Sequence, residues 1–259
     1  MESDWNSVVR NQPFNGINVS SPAAPGHRPL HRRVAIVTGG SGGIGAAVTA
    51  HLVSLGARVV VGYVGDPAPA EQLVAALNDD FAAGDPAPRA VAVAADVSDH
   101  AQVSRLFDAA EQAFGPDLHV LVAAAGVQDD AYPRIADTSP EQWDRAFAVN
   151  ARGTFLCCRE GRGGSCAAVA AVEAMTKVLA KELAGTGITA NSVAPGPVAT
   201  PMFYAGKSEE RVVAVAGECP MGRIGEPMDV APVVASSAAM PPGGSTAKSF
   251  VSMAATSKT

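Results

Sequence analysis

Residues 34–45 read Val-Ala-Ile-Val-Thr-Gly-Gly-Ser-Gly-Gly-Ile-Gly, an apolar run that breaks into glycines and then opens a helix. Val34 to Val37 suits a buried parallel strand. Gly39, Gly43 and Gly45 permit a tight turn, close approach of backbone to a pyrophosphate, and close packing of helix on strand. The segment after them, Ala46 to Leu55, carries apolar residues at helical spacing. Its N-terminus would aim free N–H groups and the positive end of a helix dipole at a phosphate. A glycine triplet alone is weak, but the strand before and the helix after supply its context, so the segment reads as a dinucleotide-binding turn. The alternative is a glycine-rich turn with no ligand.

The rest of the chain alternates in the same way. Strands are predicted over 58–63, 90–94 and 119–124, and helices over 70–81, from Ser98 or Asp99 to Phe114, and over 140–160 with Ser139 as cap. Such alternation gives an α/β fold, a Rossmann-type doubly wound parallel sheet. The pattern then fails at Glu160-Gly161-Arg162-Gly163-Gly164-Ser165, after which a helix over 167–183 and a strand over 187–193 are predicted. The sheet is therefore expected to lack a central strand and the last strand. The organisation expected is a disordered arm over 1–30, one dinucleotide-binding domain over 31–240 with an internal deletion near 160–166, and an irregular tail over 241–259.

Composition narrows the function classes. The chain has 259 residues, a net charge of −6 and 47% hydrophobic residues. That is material for one core, with nothing to attract nucleic acid or an anionic membrane. No apolar run reaches the roughly 20 residues of a membrane span. The first residues carry Glu2 and Asp4 and no apolar signal core, so a cytoplasmic location is expected. The four cysteines and five histidines show no metal-ligand spacing, so no metal is expected, and the cysteines read as reduced thiols.

Thr38-Gly39-x-x-x-Gly43-Ile44-Gly45, with Ser41 inside it, resembles the cofactor turn of the short-chain dehydrogenases/reductases, of the plant NADPH-dependent aldehyde/ketone or 3-oxoacyl reductase type. The resemblance extends in order from about Arg33 to Ala235. It implies that Asp96 and Val97 meet the adenine ring, although Asp96 could equally be a strand-end helix cap. Ala125-Gly126 is similar to the end of the family's Asn-Ala-Gly turn, with Ala124 where the family has Asn. Pro195, Gly196 and Thr200 are similar to the exit that holds the nicotinamide carboxamide. NAD-preferring sites place an acid after the second strand. By register that position is Tyr63, so NADP(H) is favoured over NAD(H).

The family's chemistry uses Tyr-x-x-x-Lys, an upstream Ser and an Asn. Asn150 matches the Asn, whereas the Tyr and Lys positions hold Ser165 and Val169. Four residues after Tyr63, Tyr132 and Tyr204 come Pro67, Ala136 and Ser208, so the chain contains no Tyr-x-x-x-Lys. The resemblance implies an NADP(H)-dependent oxidoreductase acting on a small-molecule carbonyl or alcohol, possessing half of its machinery, and a homo-oligomer. The alternatives are a catalytically inactive nucleotide-binding protein and a truncated product that does not fold stably.

Overall fold

A computed structural model of the chain describes residues 28–80, 87–131, 133–161, 165–167, 171–239 and 248–252. The order of elements is β1 (Val34–Thr38), α1 (Gly43–Ser54), β2 (Arg58–Tyr63), α2 (Ala68–Asp80), β3 (Ala90–Ala94), α3 (His100–Phe114) and β4 (Val120–Ala123). Then come α4 (Pro140–Phe147), a π-helical turn (Ala148–Gly153), α5 (Thr154–Glu160), β5 (Ser165–Ala167), α6 (Ala171–Glu182) and β6 (Asn191–Pro195). The chain continues through α7 (Pro201–Tyr204), α8 (Glu209–Glu218), α9 (Pro227–Ala238) and β7 (Lys248–Ser252).

The strands pair in parallel in the order β3-β2-β1-β4-β5. Period-two alternation explains why both faces are covered. Ala35, Val37, Val59, Val61, Val120 and Val122 face a core with α1 and α9. Ile36, Val60, Leu121 and Ala123 face a second core with Leu106 of α3 and Leu156 of α5. Chain order reverses between β1 and β4, where ligands bind at the carboxyl ends of doubly wound sheets.

The expected loss of the central and last strands is corrected. Ser165–Ala167 forms a three-residue strand, with Ser165 opposite Val120 and Ala167 opposite Val122. Four positions of sequence lie between the end of α5 at Glu160 and the start of β5 at Ser165, and a strand this short needs only about 10 Å of chain. The helix expected from 167 is described only from Ala171. β5 lies beside β6, yet no ladder joins them among the described residues. β6 pairs instead with β7, Asn191 opposite Lys248 through Pro195 opposite Ser252, so the tail expected to be irregular supplies a strand.

Two further readings change. Leu30, assigned to the arm, is fully buried and donates its N–H to Leu55 O at 3.1 Å. Residues 1–27 of that arm, 240–247 and 253–259 lie outside the described residues. Cys158 is disulfide-bonded, against the reduced-thiol reading, while Cys157 and Cys219 are free and buried. No helix among the described residues is long and apolar enough to cross a membrane.

His51, in the last turn of α1, is half-buried, and burial holds its imidazole below the ordinary histidine value. The fold thus disfavours the charged form, so this contribution to stability is present at high pH. It is lost as pH falls through the ordinary histidine range, about 6.5. Thermal unfolding should show His51→Asn losing less stability than the parent between pH 7.5 and 5.5. An equal loss in both proteins would contradict this assignment.

Candidate functional site

The glycine turn is held from both sides. Gly39 and Gly43 have positive φ, 63° and 42°. A Cβ at Gly45 would overlap the carbonyl oxygen of Gly39, which is why α1 leaves β1 so closely. Gly40 donates its N–H to Gly62 O at 3.0 Å and accepts the hydroxyl of buried Thr49 at 3.1 Å. The buried Thr38 hydroxyl accepts the N–H of Ala125 at 3.2 Å, joining the β1 and β4 exits. That bond fixes the β4 exit even though Ala124 replaces the family Asn.

The residues present fit a pyrophosphate. α1 follows its N-cap Gly42 with no side-chain cap and no acidic residue in its first turn, which leaves the positive end of the helix open to an anion. The space above Gly42 is open, since a Cβ there would meet nothing within 4 Å. Ser41 lies in the same turn, half-buried. Across the cleft, a Cβ on Gly43 would fall 2.8 Å from Cγ2 of Thr200. The Pro195–Gly196 exit and the phosphate turn therefore face each other. Thr200 also caps α7, its hydroxyl accepting the N–H of Phe203 at 3.2 Å.

The turn after β3 is organised by Asp96. Its Oδ1 accepts both the N–H and the hydroxyl of Ser98, at 2.8 and 2.7 Å. Asp99, not Ser98, caps α3. These bonds favour a turn-forming role for Asp96 and leave its Oδ2 outside both of them. Val97 is buried, and Gly153 packs so closely on it that a Cβ would come within 2.6 Å of its Cγ2. Tyr63 is half-buried against the α1 core, and the turn after it contains Asp66, whose Oδ1 accepts the N–H of Ala68 at 3.0 Å.

The helix predicted over 140–160 is interrupted by the π-helical turn, and Asn150 sits in it. Such turns recur at functional sites. The Asn150 amide accepts the Val127 N–H at 2.8 Å and donates to Val127 O at 2.9 Å. Both ends of the amide are thus spent on the loop after Gly126. A cavity of about 650 Å³ opens between these elements, lined by Ile44, Ala125, Gly126, Asn150 and Pro195 among others. Phe147 and Met202, which the sequence reading missed, also line it. Their exposure at a cleft is a tertiary property with no local signature.

The residues at the family's Tyr and Lys positions are not brought to this cavity as a helical pair. Ser165 stands in β5, and Val169 lies outside the described residues. No other described group replaces them. Tyr204 does not line the cavity, and burial, then the neighbouring Glu226, push its phenol above the ordinary range. A proton-transferring tyrosine needs the opposite shift. Lys207 donates to Phe203 O at 2.6 Å and lies over the Phe203 ring. Burial pushes the Cys157 thiol up to about 12, so it is inert. No group of three or more potential metal ligands occurs among the described residues.

Comparison with known proteins agrees with this geometry. Residues 33–162 match the short chain dehydrogenase model, and residues 161–239 match the enoyl-(acyl carrier protein) reductase model. The chain belongs to the short-chain dehydrogenase/reductase family. It is 48% identical to an NADPH-dependent aldehyde reductase-like chloroplastic protein of Arabidopsis thaliana, over 80% of this chain and 87% of the relative. It is 46% identical to a short-chain type dehydrogenase/reductase of Picea abies, over 80% of this chain and 85% of the relative. It is also 46% identical to the chloroplastic NADPH-dependent aldehyde reductase 2 of A. thaliana, over 79% and 86%. Among solved structures, a blue fluorescent protein from a metagenomic library in complex with NADPH superposes with a TM-score of 0.73 at 29% identity, covering 86% of this chain and 97% of that one.

The NADP(H) expectation drawn from the carboxylate-free end of β2 agrees with these relatives. The cytoplasmic expectation is corrected, because two of the relatives are chloroplastic proteins. It rested on Glu2 and Asp4, within a stretch outside the described residues.

Two glycine variants separate folding from binding. Gly45→Ala should lower the melting temperature and abolish NADPH binding, measured by thermal unfolding and by fluorescence titration. Gly42→Ala should cost no more than about 1 kcal/mol of stability yet weaken NADPH at least roughly tenfold, because its methyl enters the phosphate space. Parent-like NADPH affinity in Gly42→Ala would contradict this placement.

Proposed function

We propose that this chain is an NADP(H)-binding oxidoreductase for a small-molecule carbonyl or alcohol that has lost the family's proton-transfer pair. The uncapped, acid-free start of α1 against the glycine turn carries the cofactor half of this reading. The bound dinucleotide would supply or accept hydride. Thr38, Gly39, Ser41, Gly43, Ile44 and Gly45 would hold the pyrophosphate side; Tyr63, Asp96 and Val97 the adenosine side. Ala125, Gly126, Pro195, Gly196 and Thr200 would hold the nicotinamide side. Asn150 keeps the loop after Gly126 in place through Val127.

The proton-transfer half rests on contraction of the chain between α5 and α6. The two family matches meet at residues 161–162. The match to the 48% identical relative spans 236 positions but draws on only 80% of a 259-residue chain, so part of that span has no counterpart here. One lost contiguous block would remove a Ser and the Tyr-x-x-x-Lys while leaving both flanks readable. Phe155 on α5 and Val178 on α6, 45% and 56% exposed, support self-association through these helices. A plastid location is the reading that the chloroplastic relatives support.

A second reading, a nucleotide-binding protein without turnover, is favoured by the absence of any titratable side chain among the described cavity-lining residues. Restoration separates the two. Replacing residues 162–164 with the corresponding block of the A. thaliana relative should raise NADPH-dependent aldehyde reduction by about 10² to 10⁴. No gain, in a chimera that folds and binds NADPH, would contradict the lost-block account.

A further inference from the structure

We propose that residues 200–206 form a stiff strap across the cleft, hinged before Thr200 and latched by Gly206 on the Asp130 carbonyl, and that this latch sets how fast the dinucleotide leaves. The proposal rests on the NADP(H) reading above.

The strap is one hydrogen-bonded unit. The N–H of Tyr204 donates to Thr200 O at 3.1 Å, that of Ala205 to Pro201 O at 3.0 Å, and that of Lys207 to Tyr204 O at 3.1 Å. The Lys207 ammonium donates to Phe203 O at 2.6 Å and lies 4.7 Å from the centre of the Phe203 ring. Each step of the strap is thereby tied to the one before it, so the strap moves as a body. Met202, in its middle, lines the cavity.

The two ends are held differently. Just before Thr200, the N–H of Ala199 donates to Gly225 O at 2.7 Å and that of Gly225 to Pro197 O at 3.0 Å. This backbone clasp makes a hinge, and it sets Thr200 over Gly43 of the phosphate turn. At the far end Gly206 adopts φ 68°. A Cβ there would overlap the Asp130 carbonyl oxygen, so only glycine lets the strap come down this far. Among the described residues no hydrogen bond joins Gly206 to Asp130, so this end opens by losing a packing contact alone.

The post that Gly206 meets is fixed. Asp129 Oδ1 accepts the N–H of Ala131 at 2.9 Å, and its Oδ2 accepts Nε2 of Gln142 in α4 at 2.7 Å. Val127 is paired with Asn150. The strap thus joins opposite rims of the cavity, Ile44 beside the phosphate turn and Val127 and Gln128 after β4. A dinucleotide running from the start of α1 to the exits of β4 and β6 passes beneath it. Segments that close over a site move in microseconds to milliseconds and often set the rate of release.

Stopped-flow fluorescence, chasing protein-bound NADPH with excess NADP⁺, reads the latch. Gly206→Ala and Gly206→Asn both add a Cβ, but Asn tolerates positive φ. Both should release NADPH at least roughly tenfold faster than the parent. Gly217→Ala, in α8, adds a Cβ that meets nothing within 4 Å and should release at the parent rate. In the parent chain, saturating NADPH should slow tryptic cleavage after Lys207 at least roughly tenfold, a measurement independent of how the variants fold. Parent-rate release in both Gly206 variants, acceleration in Gly206→Ala alone, equal acceleration in Gly217→Ala, or cleavage after Lys207 unaffected by NADPH overturns the latch and leaves the cofactor reading standing. A parent chain that does not bind NADPH overturns both.

Discussion

The contact between Gly45 and the carbonyl of Gly39 sets the geometry on which the ligand site depends. No side chain fits at Gly45, so α1 can leave β1 directly and present an uncapped N-terminus to the cleft. The same turn is tied to the neighbouring strands by Gly40 to Gly62 and by Thr38 to Ala125. These bonds span β2, β1 and β4, whose side chains alternate between the two cores. Core packing and phosphate geometry are therefore one constraint. A change that loosens one strand exit moves the others.

Against that intact half stands a short stretch of chain. Only the segment from Gly161 to Gly164 separates α5 from β5, and β5 is three residues long. The strand is enough to continue the ladder beside β4, which protects an edge that would otherwise be open. Among the described residues no ladder joins it to β6. The cavity lies between β4 and β6, with Val122 and Val193 on its wall.

Much of the fold was legible because it is written locally. Val34–Val37, the glycines after it, and the β-branched run Val59–Val61 declare strand, turn and strand without reference to the rest of the chain. The NADP(H) preference followed from the carboxylate-free end of β2. β5 was missed because Ser165-Cys166-Ala167 has no strand signature; pairing with Val120–Val122 makes it a strand. The π-helical turn at Asn150 was missed because it registers as ordinary helix in periodicity. The walls formed by Phe147 and Met202 arise from elements distant in sequence, as does the Asn150–Val127 pairing.

The central claim is that cofactor binding persists where side-chain proton transfer does not. The direct measurement is the fluorescence of protein-bound NADPH after mixing with excess simple aldehyde. The account predicts enhanced nicotinamide emission that persists over hours, with oxidation about 10² to 10⁴ slower than in a relative bearing Tyr-x-x-x-Lys. Rapid decay of that emission, with a bell-shaped dependence on pH reporting a working acid and base, would contradict it.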